Sequence, residues 1–337
     1  MQEVRARTSC TYVLSKSRIV EGGVLPKKPM PALTGRAIRS ILFDLGDTLW
    51  SRRDLDVWRR MEMASNMRAA ALLRTRVAPS ALPHLSASDE ELGKRLHEAI
   101  EADIREAIRQ NPYIEPDGGQ AVVHALHKWG IHLDTSSGEA IFEALRVRIP
   151  QSRPLFEDVP FTLKALRERG FQLGVVTNRH WGGKLFYEDL QAMGLLDYFD
   201  LRHIAISIDL GIRKPNPALF LHTLNALNTP PEEAAMVGDS LLSDITGSKK
   251  LGMFAIWKPK AHAHTSAHRL LTSGTTKKGE HSTVPDVEAP PEPVPHDMHT
   301  TDDDYMLAQV YKQEVQPDLI IKNLSELLDV FIKAGKQ

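Results

Sequence analysis

Between residues 154 and 258 the chain keeps switching between two hydrophobic rhythms, and this switching constrains its fold more than any other feature. Positions 159–169 carry helical spacing that Gly170 ends. The short apolar runs at 171–176, 203–206, 234–237 and 254–257 read as strands. Helical stretches at 184–193, 217–227 and 241–251 separate them, and Pro217 sits in a first helical turn, where a missing N–H costs nothing. Strands that alternate with helices return in the same direction, so their sheet is parallel and covered on both faces. The predicted fold class is therefore α/β: a Rossmann-like, mostly parallel sheet with helices on both faces.

An earlier apolar run at 37–43 stops at Asp44 and belongs most simply to the same sheet. Positions 51–153 have few strand signals. Leu92, Leu96, Ile100, Ile104 and Ile108 recur every fourth residue, which puts them on one helix face. Ser88 with Glu91 reads as a capping box for that helix, and Asn111-Pro112 as its stop. Val122, Val123, Leu126 and Trp129 mark a further helix ended near Gly130, and Ser136 with Glu139 the cap of another. This block is predicted to be an all-helical domain inserted after the first strand.

The α/β core is then expected over 37–50, 154–258 and 316–333, with a last strand at 319–321 and a last helix at 325–332. Positions 1–36 read as a disordered tail; their basic, acid-poor composition would also suit an organelle transit peptide. Positions 259–315 are rich in proline, histidine, threonine and aspartate. They are expected to be a disordered insertion, because they offer too little apolar surface to offset the entropy of ordering. His262, His264 and His268 lack a convincing fourth zinc ligand, and Asp302-Asp303-Asp304 lacks the rest of a calcium loop.

In open α/β sheets ligands bind beyond the carboxyl ends of the strands. The residues that follow the predicted strands are Asp44, then Thr177-Asn178, then Asp239 with Asp244, and Lys214 lies in a loop. Each alone has an ordinary reading: a cap, a turn, a surface charge. Together they supply a carboxylate nucleophile, a hydroxyl, an ammonium group and two further carboxylates.

In sequence order these residues fall in Phe43-Asp44-Leu45-Gly46-Asp47-Thr48-Leu49, Val175-Val176-Thr177-Asn178, Gly211-Ile212-Arg213-Lys214-Pro215-Asn216-Pro217 and Val237-Gly238-Asp239-Ser240-Leu241-Leu242-Ser243-Asp244. The chain thereby resembles the haloacid dehalogenase-like (HAD) hydrolase superfamily, over roughly residues 37 to 258 plus 317 to 333. The resemblance implies a magnesium-dependent hydrolase of phosphatase type, in which Asp44 attacks phosphorus and forms an aspartyl-phosphate. It implies Mg²⁺ held by Asp44, the Gly46 carbonyl, Asp239 and Asp244, since magnesium favours hard oxygen donors. Lys214 would offset charge, and Thr177, Asn178 and Lys214 would hold the phosphoryl group. The helical block would be the family's mobile cap, closing over the site. Within it, Trp58 reads as core and Arg59 and Arg60 as solvated surface; His180 and Trp181 read equally as site wall or loop packing.

One position departs from the family pattern. Related phosphatases place a second aspartate, their general acid, two residues after the nucleophile; here that position is Gly46. General acid catalysis is typically worth about 10²–10⁴-fold, so proton delivery is what the substitution puts in question. Asp47 is a candidate surrogate.

The expected substrate is a small phosphorylated metabolite. Two alternatives stand beside it: a metal-independent haloacid dehalogenase, and a catalytically weak relative that binds a phospho-ligand or a partner. A net charge of −1 gives no nucleic-acid signature, and no run approaches the roughly 18 apolar residues of a membrane span. The single cysteine, Cys10, cannot form a disulfide within the chain and fits a cytoplasmic setting. Oligomeric state has no sequence signature here.

Overall fold

The computed structural model describes residues 12–13, 36–51, 55–77, 85, 87–260 and 316–331. The expectations for Cys10, the histidines at 262, 264 and 268, Asp302 to Asp304 and the insertion from 261 to 315 lie outside these residues.

The sheet is built as the alternation requires. Strands β1 (Tyr12–Val13) and β2 (Ala37–Ile38) form a small antiparallel pair, so the segment read as a bare tail contributes one pairing. The main sheet holds β3 (Ser40–Phe43), β4 (Gln172–Thr177), β5 (Ile204–Ile206), β6 (Ala234–Gly238), β7 (Phe254–Trp257) and β8 (Leu319–Ile320) in the order β5-β4-β3-β6-β7-β8. Every pairing in it is parallel. Strand β3 lies between β4 and β6, with Phe43 opposite Val175 on one side and Val237 on the other. The register aligns the carboxyl ends of three strands, so Asp44, Thr177 and Asp239 leave the sheet along one edge.

Side chains alternate across a strand, and both faces are apolar. On one face Ile41, Phe43, Val175, Val237 and Ile256 pack with helices α6 (Val159–Glu168) and α7 (Gly183–Ala192). On the other, Leu42, Val176, Ala205 and Met236 pack against Leu219, Phe220 and Leu224 of α9 (Pro217–Ala226). Helix α5 (Ile149–Ser152) is a single turn before α6, and α8 (Ser207–Leu210) a single turn after β5. The stretch expected as one helix at 241–251 divides into a wide π-type turn, Leu241–Thr246, and α10 (Gly247–Lys250). The backbone N–H of Ile245 donates to the Ser240 carbonyl, the five-residue spacing of such a turn.

The helical block consists of α1 (Leu55–Arg76), α2 (Asp89–Gln110), α3 (Gly118–His127) and α4 (Thr135–Ala144). It has an apolar core of its own, in which Leu92, Leu96, Ile100 and Ile104 of α2 meet Ala69, Ala70 and Leu73 of α1 and Val122 and Leu126 of α3. The Ser88 hydroxyl accepts from the Glu91 N–H at 3.2 Å and caps α2. The cap of α4 is Asp134, not Ser136: its carboxylate accepts from the Ser137 N–H at 2.8 Å and from the Ser136 hydroxyl at 2.7 Å. Trp58 is half-buried and Arg59 and Arg60 are exposed. Among the described residues, no helix is long and apolar enough to cross a membrane.

Candidate active site

Asp44 extends the centre of the sheet by one residue, its N–H donating to the Val237 carbonyl at 2.9 Å. Its carboxylate accepts from the Lys214 ammonium group at 2.7 Å. Lys214 is 3% exposed, and its other two donors go to the Asp244 carboxylate at 2.6 Å and the Val176 carbonyl at 2.7 Å. An ammonium group has three hydrogens, and all are engaged. Burial alone would lower the Lys214 pKa; Asp244 and Asp44 outweigh it and raise it. The lysine is therefore a fixed cation.

Asp239 completes an acidic cluster: one carboxylate oxygen each from Asp44, Asp239 and Asp244 lie within 4.8 Å of one another. Burial, reinforced by Asp44, Asp244 and Asp47, pushes Asp239 well above the usual carboxylate range against the pull of Lys260. Burial and Asp44 push Asp244 up to about 6, although Lys214 and the Ser240 N–H oppose the shift. Gly238 makes room for this packing, since a β-carbon there would collide with the Asp244 carboxylate. Asp44 and Asp244, both buried, and the half-buried Asp239 outnumber the two ammonium groups of Lys214 and Lys260, and hard oxygen donors in that balance suit a divalent cation.

Asn178 fixes the lysine from behind. Its carbonyl oxygen accepts from the Lys214 N–H at 2.8 Å, and its amide donates to the Lys214 carbonyl at 3.0 Å. Its side chain thus positions Lys214 at both ends of the amide. Thr177 is buried at the end of β4, on the same edge as Asp44. Asp244 commits one oxygen to Lys214 and the other to the Ser240 N–H at 2.9 Å, an arrangement suited to orienting the lysine. Asp47 is buried with φ near 54°, in the left-handed region that aspartate tolerates better than most residues. It raises the pKa of Asp239, which places its charge on that side of the cluster.

Three features escape the sequence reading. Lys258 is buried, donates to the Asp47 carbonyl at 3.0 Å and stands over the Phe156 ring at 3.9 Å; burial lowers its pKa. Lys260 lies 3.6 Å from Asp239, so the described chain is engaged at the site two residues past the expected end of the core segment at 258. Both follow the end of β7, and the strand-end rule that selected Asp44 would have selected them. Arg179, next to Asn178, places its guanidinium 4.9 Å from the Phe186 ring centroid and 5.9 Å from that of Trp50.

The helical block meets this edge through Glu115, which precedes α3. The Glu115 carboxylate accepts from the His180 Nδ1–H at 2.6 Å and lies 3.7 Å from Arg213. Burial would raise the Glu115 pKa, yet His180, Arg213 and Ser207 hold it below its usual value. Trp181 stacks on Phe142 of α4 with centroids 4.7 Å apart. His180 and Trp181 therefore join the helices to the sheet edge.

A family model described as haloacid dehalogenase-like hydrolase matches residues 38–252, well over half of the chain. The chain belongs to the haloacid dehalogenase-like hydrolases. A second, HAD-hydrolase-like model matches residues 211–301. A glyceraldehyde 3-phosphate phosphatase of Methanopyrus kandleri is 30% identical over 233 residues, 65% of this chain and 83% of that relative. The enzyme of the same description from Pyrococcus furiosus is 39% identical over 100 residues, 28% of this chain and only 38% of that relative. Among solved structures, a HAD phosphatase from Thermococcus onnurineus is 27% identical, covering 66% of this chain and 87% of its own, with a TM-score of 0.44. In this HAD-like hydrolase the acids and Lys214 of the first, third and fourth motifs meet at one sheet edge, and Thr177 of the second ends the neighbouring strand there.

Proposed function

We propose that the protein is a magnesium-dependent phosphatase of a small phosphorylated metabolite, acting through an aspartyl-phosphate on Asp44. The observation that carries this reading is the single ammonium group of Lys214, bonded at once to Asp44 and Asp244 within a triad of clustered carboxylates. The phosphatase relatives named above support the substrate class.

The chain's residues divide the work. Asp44, 8% exposed and held by Lys214, presents a carboxylate at the end of the sheet, ready to attack phosphorus. Lys214 fixes that carboxylate and reduces its repulsion of the incoming phosphoryl group. The Thr177 hydroxyl is assigned to a phosphoryl oxygen, and Asn178 to keeping Lys214 in place. A magnesium ion held by Asp44, Asp239 and the Gly46 carbonyl, with Asp244 beside them, would supply the charge compensation that the acids need. The helical block is the cap, and the Glu115–His180 contact ties it to the sheet edge.

The same acids weigh against a metal-independent dehalogenase, where their mutual repulsion would serve no purpose. Gly46 favours one second reading, a phospho-ligand binder without turnover. Phosphate release from p-nitrophenyl phosphate and a panel of sugar, acid and nucleotide monophosphates, and halide release from 2-chloropropionate, each with and without Mg²⁺, separate the three. The proposal expects release that EDTA abolishes and Mg²⁺ restores. Metal-independent halide release, or binding without release across the panel, would reject it.

A further inference from the structure

The residue that replaces the usual second aspartate leaves a space bordered by a hydrogen-bond donor. A β-carbon built on Gly46 meets nothing nearer than Trp50 Nε1, at 3.9 Å, and the glycine is not in the left-handed region, so an ordinary side chain would fit there. Trp50 is 0% exposed, and among the described residues its indole N–H has no hydrogen-bond partner. The Arg179 guanidinium lies along the same ring, and its Nε is likewise buried and unpartnered. Buried donors are normally satisfied, and two unpartnered ones, the Trp50 indole and the Arg179 Nε over its ring, are an uncommon omission.

The local charge agrees. Arg153 and Arg146 are close enough to act on Arg179 as like charges. The nearby Asp189 is already bound to Arg148 at 2.6 Å and to the Ile149 N–H at 3.2 Å. The Arg179 backbone is pinned by the Ser207 hydroxyl, which accepts from its N–H at 2.7 Å and donates to its carbonyl at 3.2 Å. The guanidinium is thus carried on a fixed stretch of chain, between two aromatic rings and within the field of Asp44.

We propose that the space over Gly46, walled by the Trp50 indole N–H and the Arg179 guanidinium, is an oxyanion subsite that binds the non-phosphoryl part of the substrate. This rests on the phosphatase reading and extends it to substrate class. Two sources supply such an oxyanion. One is the ester oxygen: as an Asp44 oxygen bonds to phosphorus, the phosphorus–ester bond breaks, its electron pair stays on the ester oxygen, and the alkoxide or phenoxide is held by N–H donors until water protonates it. The other is a carboxylate carried permanently by the substrate. Neither tryptophan nor arginine delivers a proton at neutral pH, so the site replaces proton transfer with charge stabilisation.

Steady-state kinetics of the full chain with Mg²⁺ test this on wild type, Arg179→Met, Arg179→Lys and Trp50→Phe. The probes are aryl phosphates of graded leaving-group acidity, and carboxymethyl phosphate against ethyl phosphate, a pair close in size. If the departing oxygen is bound, Arg179→Met lowers kcat by about 10²-fold, most for the poorest leaving groups. Arg179→Lys then recovers part of the loss and Trp50→Phe shows a smaller one. If a fixed carboxylate is bound, Arg179→Met raises KM for carboxymethyl phosphate and leaves ethyl phosphate unchanged. Either result supports the subsite. Unchanged leaving-group dependence and unchanged KM in both Arg179→Met and Trp50→Phe overturn it. Should wild type release phosphate from no ester, the phosphatase reading fails. The subsite is then read by thermal shift with malonate: stabilisation that Arg179→Met abolishes supports it, and equal shifts overturn it.

Discussion

The sheet edge and the helical block are held together by opposite means. At the edge, four charged side chains from three stretches of chain pack against one another, Asp239 half-buried and the others buried, and Lys214 bonds two of the three acids. In the block, Leu92, Leu96, Ile100 and Ile104 pack in an apolar core apart from those of the sheet. The two regions meet through side-chain contacts, Glu115 with His180 and Phe142 with Trp181 among them, and through an antiparallel backbone bridge between Ile114 and Ile212. A buried charge cluster tolerates little displacement, because each group lost leaves another uncompensated. An apolar core with its own boundary can shift as a body. The proposed function places chemistry at the edge and substrate selection in the block, and the contrast is consistent with that division.

The most disruptive way to probe that division is Lys214→Met. It removes the only cation bonded to Asp44 among the described residues and should lower kcat by about 10²–10³-fold, measured on an aryl phosphate with circular dichroism as a check on folding. A loss under about tenfold would mean the lysine is not part of the reaction. The matching change in the block, Ile100→Ala, should cost about 2–5 kcal/mol in urea unfolding while largely sparing kcat on a small aryl phosphate. A kcat collapse at a stability still sufficient for folding would erase the proposed division.

Gly46→Asp sharpens the comparison from the edge side. The open space there accepts a carboxyl group, which takes the place of the proposed oxyanion subsite: proton donation should raise turnover of alkyl phosphates by up to about 10²-fold, with little gain for aryl phosphates, while binding of carboxymethyl phosphate weakens. Equal change for both classes would show that proton delivery does not limit the reaction. The smallest expected effect is Glu115→Gln, at the join. Glu115 is held below its ordinary value, so its stabilisation is complete above that value, near 4.3, and is lost as pH falls through the lower folded-state value. Melting temperatures of wild type and Glu115→Gln should therefore differ at neutral pH and converge below about pH 4. A constant gap across that range would rule out the ionised clamp.

Much of the fold was legible because both faces of the sheet are buried, which makes β3, β4, β6 and β7 continuous apolar runs that stop at polar residues. Asp44, Thr177 and Asp239 were legible for the same reason, as the residues that end those runs, whereas Lys214, in a loop, was legible only through the family resemblance. Other features depended on competition or distance. Asp134 and Ser136 both have cap chemistry, and the stronger carboxylate acceptor prevails. The break in 241–251 follows from Asp244 folding back on Ser240, a tertiary demand that helical spacing does not record. Glu115 and His180 are 65 residues apart, and Arg179 and Trp50 meet only because β3 and β4 are neighbours. No local pattern announces such pairs.

The central claim is that Asp44 itself is phosphorylated during turnover. Rapid quench of the Mg²⁺-loaded enzyme with substrate, followed by acid proteolysis and mass spectrometry, reads this directly. The account predicts phosphate on the peptide containing Asp44 in wild type and none in Asp44→Asn. Phosphate release at an undiminished rate from Asp44→Asn, or a phosphorylated residue elsewhere in the chain, would contradict it.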